Sequence, residues 1–271
     1  MTLSDIQFIF NRALLFTFNK KKWFLIFCVL ALCGLLVVFF RALSINAGQW
    51  VLMSLSFLPF FLCAGILLAT GVILVRIYHD EVKNKPFNYR EILLNSWEIV
   101  IGSTYFSIPI ILCYLLLWML LGIFVLLKEI PGIGEFFGVM LSFGPFLINL
   151  GSLALALLNL ILLFLITPIV ALNGLDRNRV SKILMKRCQD IFSNLFLGLV
   201  ALLPLLLIFG LLLLAWVLTG SVCYACKEPY FLIIQWFIMM IPFAAIIAPA
   251  VIFFFNFATE AHVLLQRKGQ I

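Results

Sequence analysis

Two histidines, His79 and His262, and the acids beside them are the first places to look for chemistry in this chain. His79-Asp80-Glu81 sets an imidazole and two carboxylates in a row, and Glu260 with His262 repeats the pairing near the other end of the sequence. Such groups hold a cation only where several donors converge with defined geometry, so the expectation is solvated charge at the edges of apolar segments. No His-Glu-x-x-His and no Gly-x-Ser-x-Gly occurs. No acid interrupts an apolar run where it could serve as general acid, base or nucleophile. Catalytic, metal-ligating and cofactor-binding residues are all expected to be none, and the protein is not expected to be an enzyme.

Of seven cysteines, only Cys223 and Cys226 form a suggestive pair. Cys-x-x-Cys supplies two thiols for redox chemistry or two of the four ligands a structural zinc site takes, but no histidine lies nearby in sequence. The reading is two membrane-edge cysteines, with an outside disulfide as the alternative. A third candidate set is neutral: Asn149, Asn159 and Gln235 are amides within apolar runs, joined by the hydroxyls of Ser103 and Thr104. They either hydrogen-bond between helices or line a polar cavity for a neutral or lipidic substrate. Proton and ion pumping is disfavoured, because such pathways place ionisable groups inside the bundle.

The elements that must position these groups are six charge-free apolar runs: Trp23 to Phe40, Val51 to Val75, Ile99 to Leu127, Phe136 to Leu175, Ile191 to Cys226 and Tyr230 to Thr259. Each suffices for a hydrocarbon core that about 17–25 apolar residues cross as a helix. The predicted fold is an all-α, polytopic membrane helix bundle, one domain over 1–271, with spans at about 23–40, 51–75, 99–127, 146–172, 191–218 and 231–256. The composition agrees: 11% charged and 65% hydrophobic residues describe a chain dissolved in lipid. The first run is too long for the apolar region of a cleaved signal peptide and has no clear cleavage site after it, so it reads as a retained helix.

The fourth run is too long for one crossing. Gly144 and Pro145 are the expected break, which leaves 136–145 as an interfacial or re-entrant piece before the span. Gly134-x-x-x-Gly138 and the Gly65/Ala69 spacing allow close helix approach within one chain. Prolines 59, 109, 168, 204, 242 and 249 fall in the other apolar runs or in the fourth span, where neighbouring helices satisfy freed carbonyls.

Net charge is +7, and fifteen of the eighteen Lys and Arg residues fall on one side if the spans alternate, with only Arg41, Lys128 and Lys227 on the other. By the positive-inside rule both termini are cytoplasmic and the protein sits in the cell (inner) membrane. The basic residues meet lipid headgroups there, so nucleic acid is not an expected partner and anionic lipid is.

Each odd-numbered span is preceded by an apolar stripe at helical spacing. The first is Ile6, Ile9, Phe10, Ala13 and Leu14, after Ser4 and Gln7 at capping-box spacing. The second is Ile92, Leu93 and Trp97, after Asn88 and Glu91. The third is Val180, Ile183, Leu184 and Ile191, with Arg179, Lys182, Lys186 and Arg187 assigned to water and lipid headgroups. Phe8-Ile9-Phe10-Asn11 aligns with Ile92-Leu93-Leu94-Asn95, and Ile183-Leu184-Met185-Lys186 holds the corresponding place in a third unit. Three parallel repeats of entry helix, outward span and return span account for the pattern.

Three units resemble mitochondrial carriers in topology alone, since Pro109 and Pro204 lack the acid and base that follow the carrier proline. Thr167-Pro168-Ile169-Val170, then Gly174, then the basic stretch Arg179 to Arg187 and the apolar fifth run carry a different likeness. They resemble uncharacterised six-span bacterial membrane proteins related to the membrane domain of glycerophosphodiester phosphodiesterases. The resemblance implies a six-span fold and no hydrolytic activity, because the phosphodiesterase catalytic domain is not part of it. The leading functional expectation is a multi-pass protein with a structural, partner-binding or lipid-interacting role. The alternative is a transporter or lipid-handling protein for a neutral or lipidic substrate.

Overall fold

Leucine, phenylalanine and isoleucine dominate the runs, and with backbone polar groups satisfied internally the chain forms helices throughout, as hydrocarbon requires. The computed structural model describes residues 3–45, 47–85, 89–174, 176–219 and 229–267. In chain order the helices are α1 (Leu3–Leu15), α2 (Lys20–Ser44), α3 (Gln49–Val82), α4 (Tyr89–Thr104), α5 (Ile108–Glu129), α6 (Ile133–Asn173), α7 (Arg177–Gln189), α8 (Ile191–Thr219) and α9 (Pro229–Arg267). Six segments among the described residues are long and apolar enough to cross a membrane: Lys20–Ser44, Ser54–Val82, Ser96–Leu127, Phe143–Asn173, Phe192–Leu218 and Tyr230–Arg267. The protein is an all-helical, polytopic bundle.

The return helices α3, α6 and α9 pack on one another at the centre, and the outward helices α2, α5 and α8 lie around them. Val72 and Val75 of α3 meet Ile166, Ile169 and Val170 of α6 in one cluster. Gly71 marks the closest approach: a Cβ there would lie 2.4 Å from the Phe255 ring of α9 and 2.8 Å from the Thr167 methyl of α6. From Ala250 to His262 α9 is buried on every face, as a central helix is. In contrast, α8 exposes Leu199, Leu203, Leu206 and Leu207. Water does not tolerate an apolar surface of that extent, and acyl chains do.

Entry helices follow a cyclic rule. α1 packs on α9, α4 on α3 and α7 on α6, so each sits on the return helix of the preceding unit. α2 packs on α9 and α5 on α3 in the same sense, but the equivalent pair, α8 and α6, makes little contact. The bundle is tight at two of its three seams and loose at the third.

Two expected boundaries differ. α6 runs without a break through Pro145, and its 41 residues reach about 60 Å at 1.5 Å each. Gly144 packs against the Phe124 ring of α5, where a Cβ would come within 3.1 Å, and this close approach carries the helix past the proline. Nothing is described of the side chains at 133–142, which include Gly134 and Gly138. The third span is instead interrupted at 105–107, between α4 and α5. Pro109 has no N–H to donate, and Ser103, Thr104 and Ser107 turn their hydroxyls back to the carbonyls of Val100, Ile101 and Thr104 at 2.7 Å each. These bonds satisfy local carbonyls where the helix yields to a turn. Ser4 lies inside the first turn of α1 rather than ahead of it.

Candidate functional site: the charged end of the bundle

The chemistry-bearing groups collect where α1, the start of α2, the ends of α3, α6 and α9, and α7 converge. Glu81, Glu260 and His262 do not stand in solvent as expected, while His79 and Asp80 are half-exposed. Glu260 is 7% exposed; it accepts a 2.7 Å hydrogen bond from the Tyr78 hydroxyl and lies 3.6 Å from the Arg12 guanidinium. Glu81 pairs with the fully buried Lys22 and accepts from Asn19 Nδ2 at 2.6 Å. Lys22 also faces the Tyr78 ring, 5.3 Å from its centroid, so the two ion pairs adjoin. The long runs of α3 and α9 bring residues distant in sequence together here, which no local pattern reveals. Among the described residues no group of three or more His, Cys, Asp or Glu is placed to hold a metal ion.

A half-buried cation, Arg76, donates through Nη1 to Ser96 Oγ of α4 at 2.7 Å and through Nε to the Ala171 carbonyl of α6 at 3.2 Å. It ties the entry helix of one unit to two return helices. The α1 helix is held the same way: Asn256 Nδ2 donates to the Ala13 carbonyl at 3.4 Å, and the Phe10 ring meets the edge of Phe253 at 4.9 Å.

The four basic residues assigned to headgroups separate. Lys182 and Lys186 are exposed on α7, and the side chain of Arg179 lies outside the described residues. Arg187 is 1% exposed and turns inward, a correction to its expected place at the headgroups. The physical reason is its phase on the helix. It lies seven residues after Val180, two turns on, and so falls on the apolar stripe with Ile183 and Leu184. Val180 packs into the α3–α6 cluster and draws that face down.

Inside, Arg187 Nη1 reaches the Leu165 carbonyl at 3.5 Å, while Nε and Nη2 have no acceptor. No carboxylate among the described residues pairs with it. Burial lowers its pKa to about 10, which still leaves the guanidinium charged at neutral pH. Beside it, Asn194 of α8 donates through Nδ2 to the carbonyls of Arg187 at 2.7 Å and Asp190 at 3.0 Å. Those two acceptors cap α7 and fix the amide orientation, and Asn194 Oδ1 is left with no donor. His262 of α9, fully buried with both ring nitrogens unpartnered, lies within electrostatic reach of Arg187.

Arg187 and Asn194 form the polar end of a cavity of about 180 Å³ between α6 and α8, whose other lining residues are all apolar. It occupies the loose seam. Sequence reasoning missed Asn194, although an amide one turn into an otherwise apolar run is a legible signal.

Asn149 and Asn159 share α6 but stand ten residues, about 15 Å, apart. Asn149 borders a cavity of about 10 Å³ with Ser54, Tyr114, Trp118 and Ser152, to which neither Asn159 nor Gln235 contributes. Asn159 is buried at 4% and Gln235 half-buried on α9. That space holds no more than about one water. Cys223 and Cys226 lie outside the described residues; Cys28, Cys33, Cys63 and Cys113 are free thiols.

The fold defines the class as a multi-pass membrane helix bundle. No protein-family model, no curated protein and no solved structure matches the chain, so its side-chain geometry carries the functional reading.

Proposed function

We propose that this is a non-catalytic, lipid-interacting protein of the cell (inner) membrane, with both termini in the cytoplasm and its basic end set on the anionic leaflet. The observation that carries the reading is the sorting of cations at that end. Lys20, Lys21, Lys83, Lys85, Lys182 and Lys186 are exposed there, while Lys22 and Arg187 of the same end are drawn inside. Exposed lysines beside apolar spans attract anionic headgroups within a Debye length of the surface. On this reading α7 acts as a basic amphipathic shelf: its apolar face rests on α6 and its lysines face phosphate.

Two experiments test it. Reporter fusions after Gly48, Gly132 and Ser221 should read outside and fusions after Lys85 and Arg187 inside; the reversed pattern would overturn the orientation. In mixed bilayers of phosphatidylcholine and phosphatidylglycerol, spin-labelled phosphatidylglycerol should be enriched in the immobilised shell at low salt. The combined Arg179→Gln, Lys182→Gln and Lys186→Gln variant should lose part of that enrichment. Equal immobilisation of both lipids by the wild-type protein would sink the lipid-interacting reading.

A further inference from the structure

A buried guanidinium with two unpartnered donor nitrogens is an expensive arrangement, because a charge removed from water needs an opposing charge or a full set of hydrogen bonds. Arg187 has neither among the described residues, and it stands at the end of an apolar cavity rather than in a packed core. Leu160 and Phe164 of α6, Leu199 and Leu202 of α8 and Phe254 of α9 form the cavity walls. Its rim opens toward the lipid-facing surface, where Ile161, Leu195 and Leu199 are about half exposed. Gly198 keeps the seam open, since its nearest neighbour across the gap, Phe164 Cδ1, is 3.9 Å from where a Cβ would stand.

The complement of this surface is specific. An apolar trough fits an acyl chain. The unpartnered Nε and Nη2 of Arg187 are covered by the cavity wall, and a turn of the guanidinium into the trough presents them to a phosphodiester, whose paired oxygens match its fork. Asn194 Oδ1, held by the bonds its Nδ2 makes, is an acceptor and so calls for a hydroxyl donor next to that phosphate. The other two seams of the bundle are closed by α2 on α9 and α5 on α3, and the weak contact is the one between α8 and α6.

We infer that the α6–α8 seam is a binding site for one anionic phospholipid with a hydroxyl-bearing headgroup, phosphatidylglycerol in the simplest case. One acyl chain lies between Phe164 and Leu199, the phosphate on Arg187, and a headgroup hydroxyl donates to Asn194 Oδ1. The bound lipid fills in for the weak helix contact. This inference rests on the lipid-interacting reading and adds to it one defined site.

The test uses the purified full chain in mild detergent, with native mass spectrometry to count retained lipids and titration to give Kd. Wild-type protein should retain one phosphatidylglycerol against excess phosphatidylcholine. Phosphatidylethanol, anionic but without a headgroup hydroxyl, should bind about 3- to 10-fold more weakly, the value of one neutral hydrogen bond. Arg187→Gln should weaken phosphatidylglycerol about 10- to 100-fold, and Gly198→Leu should exclude it by filling the trough. The Lys182→Gln and Lys186→Gln double variant should keep the single bound lipid. Because Arg187→Gln removes an unpaired charge, its thermal midpoint without lipid should be no lower than wild type, and phosphatidylglycerol should no longer raise it.

Retention of phosphatidylcholine as tightly as phosphatidylglycerol would overturn the proposal. So would displacement of the lipid by inorganic phosphate at equal concentration, which would mark the site as one for free anion. If the lysine variant loses the lipid while Arg187→Gln and Gly198→Leu keep it, the seam site is wrong and the surface reading stands. If the wild-type protein shows no anionic preference in either assay, both fall.

Discussion

Lys22 and Arg187 are cations at the same end of one bundle, each with 1% or less of its surface exposed, yet their surroundings are opposite. Lys22 meets the Glu81 carboxylate, the Tyr78 ring and, at 3.4 Å, the Phe16 carbonyl. Arg187 meets one long carbonyl contact and an apolar cavity. The first arrangement is complete within the chain and closes α1, α2, α3 and α9 into a latch. The second is incomplete and lies where two helices fail to close. The Lys22 charge thus serves the fold, whereas Arg187, unpaired among the described residues, is the group on which the proposed lipid site rests.

The largest effect should come from breaking the complete side of this comparison. Glu81→Gln leaves Lys22 charged and without its partner, and should lower unfolding stability in detergent by about 3–5 kcal/mol. A Lys22→Met and Glu81→Leu double variant should recover most of that loss, because an apolar pair of similar volume has no desolvation cost. If the single and double variants lose equally, the pair is not the latch.

Packing offers the next contrast. Gly71→Ala forces a methyl into the Phe255 ring and should destabilise by about 1–3 kcal/mol, the usual cost of overpacking. Gly198→Ala meets only Phe164 Cδ1 at an ordinary van der Waals distance of 3.9 Å and should shift the thermal midpoint little in either direction. Equal losses at the two positions would mean that the α6–α8 seam is as tight as the core.

Arg187→Met sharpens the comparison by its sign. Removing a buried cation with no counter-charge should raise stability in lipid-free detergent by about 1–3 kcal/mol, the desolvation cost of an unsatisfied group. A fall of similar size would show that the guanidinium already has a partner. The smallest effect belongs to Glu260→Gln. It loses the pair with Arg12, whose side chain is 33% exposed, but can keep the Tyr78 hydroxyl as a donor, so about 1 kcal/mol or less is expected from chemical unfolding.

Much of the architecture was open to reading from residue order. The absence of charge over six runs dictates helices that cross a membrane, because hydrocarbon offers no partner to an unpaired backbone group. Repetition of apolar stripes before odd-numbered spans marked the regions where α1, α4 and α7 form, and helical phase already placed Arg187 on the apolar face of α7. Charge points Arg187 to the headgroups and helical phase points it inward, and the packing of that face on α6 decides for phase. The break expected at Pro145 and the one found at 105–107 have a different origin. A proline's local penalty is the same everywhere, and whether a helix survives it depends on neighbours such as Phe124 beside Gly144 and Gly65 opposite Ser107.

Hydropathy and charge order by themselves determined the helix class and the number of crossings, since both follow from the free energy of transferring each segment out of water. Tertiary structure alone decided which charges found partners. Lys22 with Glu81 and Glu260 with Tyr78 are separated by 59 and 182 residues, and a contact between helices depends on the azimuth and depth at which each packs. The open seam between α6 and α8 belongs to the same level, because a missing contact exists only once all the others have been made.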